Sequence, residues 1–281
     1  MKSVLMTLAR LLLTFLLAST VQPAGLFLQM SDPQFGMYSE NKDFAQETVN
    51  FEFAIATANR LRPNFVVICG DLINQAGNSA QTAEYHRIAA KLDPAIKLYN
   101  VAGNHDVGNQ PTPASLTAYR EKFGADYYRF RSGDLEGFVL NSSLIAAPEQ
   151  AQAEAGRQEE WLKGELAKAR AEGFRYRVIF QHHPWFLESA DEPDQYFNIP
   201  SVTRKRYLKL FHESGVTHVF AGHYHRNAYG RDRSLEMITS GPVGKFLGND
   251  PSGLRVVTWS DGGIDHQYYG LGSIPHEVPG K

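Results

Sequence analysis

The sequence is short of several features that would indicate particular classes of protein. Cys69 is the only cysteine among 281 residues, so no disulfide can form within the chain. Neither sign of charge dominates, because 28 Lys and Arg stand against 30 Asp and Glu, and nothing in this balance indicates a nucleic-acid or membrane-surface partner. Internal repeats and low-complexity linkers are lacking as well. What remains is a mixed composition with 43% hydrophobic residues, enough for a sizeable core.

The first residues have the pattern of an export signal. Lys2 and Arg10 are basic, residues 11–18 form an apolar run too short to span a bilayer comfortably, and small residues follow. This pattern predicts a signal peptide over residues 1–24, a secreted or periplasmic protein, and no stable membrane insertion once the leader is removed. The alternatives are an uncleaved anchor, or an N-terminal helix packed on the domain of a cytoplasmic protein. Residues 25–281 are expected to form one domain.

The rest of the chain alternates apolar runs with helical patterns. The runs have the length and the β-branched or aromatic content of buried strands; they are residues 26–30, 65–69, 97–101, 137–141, 177–181 and 218–221. Between them, apolar residues recur at helical spacing; the predicted buried faces are Val49/Phe53/Ala56, Tyr85/Ile88/Ala89/Leu92, Leu162/Leu166/Ala169 and Tyr207/Leu210/Phe211. This alternation predicts an α/β fold with a largely parallel sheet. Three later strands, over 235–240, 254–260 and 264–269, are expected to be antiparallel and to form a second sheet.

Polar residues of ligand type stand at the end of five of the six early runs. They are Asp32-Pro33-Gln34, Gly70-Asp71-Leu72-Ile73-Asn74, Gly103-Asn104-His105-Asp106, His182-His183-Pro184 and Gly222-His223-Tyr224-His225. In an open α/β sheet, ligands bind in the crevice beyond the carboxyl ends of the strands. The five clusters are therefore expected to come together in space. Each alone could be a turn, a helix cap or a pair of strand residues, and it is their convergence that predicts a site.

The residue types in these clusters fit a pair of divalent cations. Carboxylate, amide oxygen and imidazole suit Mn, Fe, Zn or Mg better than copper, and no thiolate is needed. A carboxylate can bridge two cations, which at a separation of roughly 3.5–4 Å clamp a phosphate and activate a water molecule. With two ionised carboxylates and otherwise neutral ligands, such a site keeps a net positive charge, which favours an anionic ester.

Taken in order, the clusters resemble the signature of the calcineurin-like metallophosphoesterase superfamily: D-x-H, G-D-x-x-D/N, G-N-H-D/E, a strand-end His and G-H-x-H. Gln34 is the one departure, because an amide stands where the pattern has an imidazole. The resemblance narrows to the calcineurin-like phosphoesterase domain-containing subfamily of serine/threonine phosphatase type. The stretches that carry it are residues 31–36, 69–73, 103–109, 181–182, 186–189 and 222–227.

The resemblance implies both a fold and a metal centre. The implied fold is a four-layer αββα sandwich, in which two facing mixed β-sheets are flanked by helices. The implied ligands are, for the first metal, Asp32, Gln34, Asp71 and His225, and for the second, Asp71, Asn104, His182 and His223, with Asp71 bridging. Mn is favoured, because the neutral amide of Gln34 is a weaker and harder ligand than imidazole. A metal-bound hydroxide would attack phosphorus, with His105 as the general acid and Asp106 orienting its imidazole.

Residues beside the clusters are open to more than one interpretation. His183 neighbours His182 but would point the other way along a continuing strand, so His182 is favoured as the ligand. Arg226 directly follows a ligand, and a guanidinium can fork onto phosphate oxygens. Arg226 and Asn104 are therefore predicted to bind substrate.

Two further segments carry weaker signals. The basic run Arg204-Lys205-Arg206 is interpreted as the solvated first turn of a helix, which Gly215 would end. Tyr224 and residues 191–196 are expected to shape the mouth of the site.

The leading hypothesis is hydrolysis of a phosphate monoester on a phosphorylated small molecule or a phosphoprotein. The subfamily resemblance implies phosphoserine or phosphothreonine. The runner-up is phosphodiester hydrolysis, which would use the same metal core with a different rim. A metal-free scaffold is the alternative from another class, and the full ligand set argues against it. A nuclease is disfavoured by the net negative charge that the chain would have once the leader, with its two basic residues, is removed, and by the lack of a basic stripe, so no nucleic-acid partner is expected.

Overall fold

The computed structural model describes residues 25–278, so the predicted leader lies outside the described residues. The strands of this range are β1 (Gly25–Met30), β2 (Phe65–Ile68), β3 (Lys97–Asn100), β4 (Tyr128–Ser132), β5 (Leu135–Val139), β6 (Tyr176–Phe180), β7 (His218–Ala221), β8 (Ala228–Asp232), β9 (Leu235–Thr239), β10 (Gly253–Ser260) and β11 (Gly263–Gly270). The helices are α1 (Ala45–Leu61), α2 (Ser79–Ala89), α3 (Asn104–Val107), α4 (Pro113–Phe123), α5 (Ser142–Ala146), α6 (Gln152–Ala171) and α7 (Ser201–Ser214), followed near the end by a 3₁₀ turn at Leu271–Ser273. None of the helices in residues 25–278 combines the length and apolar character that a bilayer crossing requires.

The first sheet has the strand order β11-β10-β1-β2-β3. Strands β1, β2 and β3 are parallel, whereas β10 pairs antiparallel with β1 and β11 antiparallel with β10. The expectation that the last two strands belong to a second sheet is therefore wrong. They extend the first sheet instead, because β10 covers the edge of β1 that β2 leaves open.

The second sheet has the strand order β4-β5-β6-β7-β9-β8. Strand β9 lies in the second sheet as expected, but it is antiparallel only to β8 and parallel to β7, so the antiparallel arrangement expected for it holds on one side only. The edge strands β4 and β8 are antiparallel to their neighbours. Strand β4 alternates apolar or aromatic with charged residues, as Tyr-Arg-Phe-Arg-Ser, and β8 has the mixed sequence Ala-Tyr-Gly-Arg-Asp, so neither appears among the apolar runs.

The two sheets face each other across an aromatic core and carry helices on their outer faces. The core between them includes Phe27, Phe65, Phe180, Phe220 and Trp259, and the rings of Phe27 and Phe65 stack with centroids 4.7 Å apart. One outer core joins the first sheet to α1, α2 and α4, and the other joins the second sheet to α6 and α7. These layers confirm the four-layer αββα sandwich.

Helix α1 buries a different face from the one predicted. Val49 and Phe53 are 62% and 48% exposed, whereas Phe51, Ile55 and Ala58 are buried against the first sheet. The helix has apolar residues on both sides, so its spacing allowed two solutions. On α2, α6 and α7 the predicted apolar residues do pack on the core, and α7 ends at Gly215 in the left-handed conformation, as predicted.

Candidate metal centre

The predicted ligand clusters meet where the carboxyl ends of strands from the two sheets face each other. Strands β1, β2 and β3 of the first sheet lead into Asp32 and Gln34, Asp71, and Asn104, while β6 and β7 of the second lead into His182, His223 and His225. Two groups of three residues could each hold a cation, and within each group the ligand atoms lie within 4.8 Å of one another. One group is Asp71, His182 and His223, and the other is Asp32, Asp71 and His225. Asp71 belongs to both groups. The site is thus built across two sheets rather than in the crevice of a single one.

The backbone at this centre adopts a conformation that L-residues rarely take. Five of the predicted ligands have φ between 42° and 67°, in the left-handed region; they are Asp32, Gln34, Asp71, His223 and His225. Such residues cost about 1–3 kcal/mol each and persist only where the surroundings hold them. Here, main-chain bonds hold the loops, since the amides of Asp32 and Gln34 donate to the carbonyls of Gly70 and Asp71 at 3.1 and 2.9 Å. Strain concentrated on ligand residues indicates a functional site.

Two motif glycines allow the loops to approach this closely. A Cβ at Gly103 would lie 2.1 Å from the amide nitrogen of Asp71 and 2.2 Å from its carboxylate. A Cβ at Gly70 would lie 2.4 Å from the ring of His182, and φ at this position is +86°. Any larger residue would therefore displace the shared carboxylate or the imidazole.

Each ligand histidine has one ring nitrogen fixed by a main-chain carbonyl. Nδ1 of His182 donates to the carbonyl of Cys69 at 2.8 Å, Nε2 of His223 to that of Tyr196 at 3.2 Å, and Nδ1 of His225 to that of Lys245. A carbonyl only accepts, so these nitrogens carry the protons. The opposite nitrogens of His182 and His225 face the carboxylates of Asp71 and Asp32 at 3.2 and 3.5 Å, and a histidine whose other ring nitrogen is fixed in this way is typical of metal sites.

The surroundings of His182 show that the centre calls for positive charge. Its Nε2 lies 2.9 Å from Oδ1 of Asn104 and 3.2 Å from Oδ2 of Asp71, both of them acceptors. Burial is the largest single influence and lowers the pKa of His182, but the carboxylates of Asp71 and Asp32 and the carbonyl of Cys69 together raise it to about 9. Without a metal, a proton on Nε2 would occupy the position between these three atoms that suits a cation. The other oxygen of Asp71 accepts from the amide of His105 at 2.8 Å.

The group that would hold the first cation is arranged in the same way around Asp32. Ser31 donates its hydroxyl to Oδ2 of this carboxylate, and Oδ1 lies 3.5 Å from Nε2 of His225. Gln34 donates its amide NH₂ to Oδ1 of Asn74 at 3.1 Å, while its Oε1 is buried without a hydrogen-bond partner. A buried amide oxygen without a partner is costly, and a metal ion would satisfy it. The amide at this position therefore fits a metal ligand although it departs from the family pattern.

His105 lies beside the metal groups, but Asp106 does not orient its imidazole. Nδ1 of His105 donates to the carbonyl of Asn74 at 2.8 Å. The carboxylate of Asp106 instead accepts from the amides of Leu72, Ile73 and Gly103 at 2.8–3.2 Å. The expected role of Asp106 is therefore wrong. It ties the loop after β2 to the loop after β3, because three convergent main-chain donors bind a carboxylate better than a single imidazole does.

The remaining predicted residues lie around the centre. His182 rather than His183 reaches Asp71, and His183 pairs instead with the hydroxyl of Ser142 at 3.0 Å. The guanidinium of Arg226 lies over the ring of Tyr224 and donates to the carbonyl of Leu247 at 3.1 Å. These contacts direct Arg226 along the rim.

The basic run on α7 is only partly solvated. Lys205 and Arg206 are exposed, but Arg204 is fully buried and donates to the carbonyl of Glu192 at 2.6 Å and to that of Trp185 at 3.3 Å. The prediction for Arg204 is therefore wrong, since this side chain turns inward and braces the loop before the helix. That loop brings Tyr196 to His223. Sequence reasoning placed this segment at the mouth but had no signal for its carbonyl contact, because any residue can supply a carbonyl.

Comparisons with known proteins identify the family of the chain. The family model for calcineurin-like phosphoesterases matches residues 25–227. The chain is 38% identical over 263 residues to the Bos taurus serine/threonine-protein phosphatase CPPED1, with 88% of this chain and 84% of the relative covered, and 38% identical over 264 residues to the Homo sapiens protein of the same name, with the same coverage. The crystal structure of a dimetal phosphatase from Danio rerio, LOC 393393, matches in fold with a TM-score of 0.65 at 16% identity, over 89% of this chain and 97% of that one. The chain belongs to the calcineurin-like phosphoesterase family and is a hydrolase of phosphate esters.

Proposed function

We propose that this protein hydrolyses phosphate monoesters at a centre of two divalent cations. The observation that carries the proposal is the pair of three-residue groups that share Asp71. The residues that would hold the cations are Asp32, Gln34, Asp71 and His225 for the first, and Asp71, Asn104, His182 and His223 for the second. The unpartnered Oε1 of Gln34 and the fixed ring nitrogens of the three histidines support this set.

When bound, the cations supply positive charge for the phosphate and lower the pKa of a water molecule. The protein's part is to hold the ligands in place before substrate arrives. Main-chain bonds fix the strained ligand loops, and main-chain carbonyls fix the imidazoles, so little reorganisation remains for the reaction itself. Mn is the cation that we propose, because the amide of Gln34 takes the place of an imidazole.

We propose that His105 donates the proton that the departing oxygen needs. Its Nδ1 is engaged by the carbonyl of Asn74, and the ring is only half-buried, so Nε2 can face a substrate. The imidazolium form would donate this proton as the ester bond breaks. General acid catalysis of this kind is typically worth about 10²–10⁴-fold.

The proposed substrate is a phosphorylated protein or small molecule, with phosphoserine or phosphothreonine as the reacting group. The names of the curated relatives support this class. The alternative, a small phosphodiester, would use the same ligands, and the assay described next separates the two.

Purified residues 25–281, loaded with Mn, should release phosphate from a phosphoserine peptide and from p-nitrophenyl phosphate. Bis(p-nitrophenyl) phosphate should be a much poorer substrate. Faster turnover of the diester than of both monoesters would overturn the monoester assignment. The absence of turnover of all three esters at full metal content would overturn the proposed catalysis.

We also propose export directed by residues 1–24, supported by the basic and apolar pattern of that segment. Expression of the full gene in its native host should yield a protein that begins between Val21 and Gly25. Recovery of intact protein beginning at Met1 from the cytosol would contradict export. Truncation to Gly25 should preserve activity, because β1 begins at that residue.

A further inference from the structure

The loop between β6 and α7 carries a tyrosine to the metal centre on a braced frame. Arg204 is buried beneath the loop and donates to the carbonyl of Glu192. The carboxylate of Glu192 in turn accepts from the amide of Leu187 at 2.8 Å and from the side-chain amide of Asn198 at 2.7 Å. Tyr196 lies within this bonded segment, so its position is set by the frame and does not depend on a substrate.

Tyr196 contacts the centre in three ways. Its main-chain carbonyl accepts from Nε2 of His223 at 3.2 Å, its ring lies with its centroid 5.0 Å from that of His223, and its hydroxyl lies beside the side chain of Asn104. Both neighbours belong to the proposed second metal group. The hydroxyl therefore reaches the space in which the phosphate would lie.

Tyr196 differs from the proposed ligands in its exposure to solvent. Its side chain is 63% exposed, whereas Asp71, Asn104, His182 and His223 are all buried. A residue that only capped His223 would need no more than the main-chain carbonyl. The ring and hydroxyl are additional, and they lie on the solvent side, from which a substrate must approach.

The chemistry of the phenol matches a phosphate. The hydroxyl of a tyrosine carries its proton at neutral pH and can donate. Phosphoryl oxygens are strong acceptors, and hydrogen bonds to charged groups are stronger than those to neutral ones. Of the side chains that the structure places on this rim, Arg226 is engaged with Leu247 and Tyr224, whereas Tyr196 reaches a proposed metal ligand.

We propose that Tyr196 is a substrate-binding residue, whose hydroxyl donates to a phosphoryl oxygen of the ester held at the centre. This assignment rests on the proposed function for the identity of the ester. The binding contact itself can be measured with inorganic phosphate, which is the product and needs no turnover.

The test compares Tyr196→Phe with Tyr229→Phe in the Mn-loaded protein. Tyr229 on β8 is also about half exposed, at 47%, and serves as the matched control. Both changes leave the main chain in place, so the carbonyl contact of residue 196 with His223 remains. Tyr196→Phe should weaken inorganic phosphate binding, measured calorimetrically, and raise KM for the phosphoserine peptide, each by about tenfold or more, with kcat little changed. Tyr229→Phe should change neither quantity.

Metal content decides between binding and structural roles. Wild-type phosphate affinity and KM in Tyr196→Phe, with a full metal complement, would overturn the proposal. A loss of phosphate affinity that follows a loss of bound metal would also overturn it, because Tyr196 would then only support His223. If wild-type protein binds phosphate but hydrolyses no monoester, the proposed function fails, and the phosphate titration of Tyr196→Phe still decides the role of Tyr196.

Discussion

The two sheets contribute different chemistry to one centre. Loops of the first sheet supply the oxygen ligands, and with Asp32 and Asp71 they supply all of its negative charge, whereas loops of the second sheet supply the imidazoles. The carboxylates are oriented mainly by donors, such as the hydroxyl of Ser31 and the amide of His105, and the imidazoles by carbonyls. The difference teaches that neither sheet alone forms a metal site. Cation binding should therefore also stabilise the packing of one sheet on the other.

The largest effect is expected where the two metal groups share a ligand. Asp71→Asn removes one of the two carboxylates in the proposed metal groups, and it is the carboxylate common to both groups, so activity should fall to background. Metal binding stabilises a folded protein by about 2.7 kcal/mol at a concentration one hundred times Kd. Mn should accordingly raise the unfolding temperature of the wild type but not that of Asp71→Asn. Asp261→Asn, at an exposed turn, is the control that should respond like the wild type. A metal-dependent rise in Asp71→Asn equal to that of the wild type would show that the sheets are not linked through this residue.

A smaller and more selective effect is expected at His105. A serine alkoxide needs a proton as it leaves, whereas p-nitrophenolate is stable as an anion. His105→Ala should therefore lower kcat/KM for a phosphoserine peptide by about 10²–10⁴-fold and that for p-nitrophenyl phosphate far less. His223→Ala removes a proposed ligand that the second sheet contributes, and it should lower kcat/KM for both substrates by similar factors. Equal damage to both esters by His105→Ala, with metals retained, would show that His105 positions groups rather than donating a proton.

A third change separates loop support from proton transfer. Asp106→Asn replaces an oxygen that faces main-chain donors with an NH₂ group, which should cost about 1–3 kcal/mol of folding free energy. Because Asp106 ties the loops of Asp71 and His105 together, kcat/KM should fall for both esters by similar factors. Denaturant unfolding and the two assays give the comparison. Loss confined to the phosphoserine peptide would indicate that Asp106 acts through His105 after all.

The smallest effect concerns Gln34, the first-sheet ligand that departs from the family pattern. Protein as isolated should be partly depleted of metal and stimulated by added Mn, since an amide is the weaker ligand. Gln34→His would give the first sheet an imidazole like those of the second, and it should tighten the site and reduce the stimulation. Metal analysis and activity with and without Mn provide the measurement. A full complement of tightly bound Zn in the wild type would contradict this prediction.

Much of the site could be predicted from the sequence because its ligands directly follow apolar strands. The runs that end before Asp32, Asp71, His182 and His223 are largely buried strands, whereas β3 before Asn104 is only partly buried, and the structure brings all five residues together. The pattern could not show that two sheets meet there, because a parallel strand has the same apolar character in either sheet. The pattern also could not show that β10 pairs antiparallel with β1 and so extends the first sheet.

Other features have no signature in the residue that forms them. Phe51 and Phe53 are equally apolar, yet only Phe51 faces the first sheet, since the choice depends on how α1 packs. Arg204 is charged and yet buried, because the main-chain carbonyls of Trp185 and Glu192, in the loop before α7, accept hydrogen bonds from its guanidinium. The carbonyls that fix His223 and His225 come from Tyr196 and Lys245, whose side chains do not identify them as supports. Contacts made by main-chain carbonyls therefore cannot be predicted from the identity of the side chains.

Those two carbonyls also have a consequence for how such an enzyme can diversify. The segments around Tyr196 and Lys245 carry the exposed side chains of Tyr196 and Phe246, yet they also support the imidazoles of His223 and His225. A new rim cannot be grafted as an independent module, because each insertion, deletion or proline that shifts either carbonyl also alters cofactor retention. Side-chain changes at these positions leave the carbonyls in place. Laboratory evolution towards new substrates should therefore accumulate point substitutions in these segments and select against changes in their length.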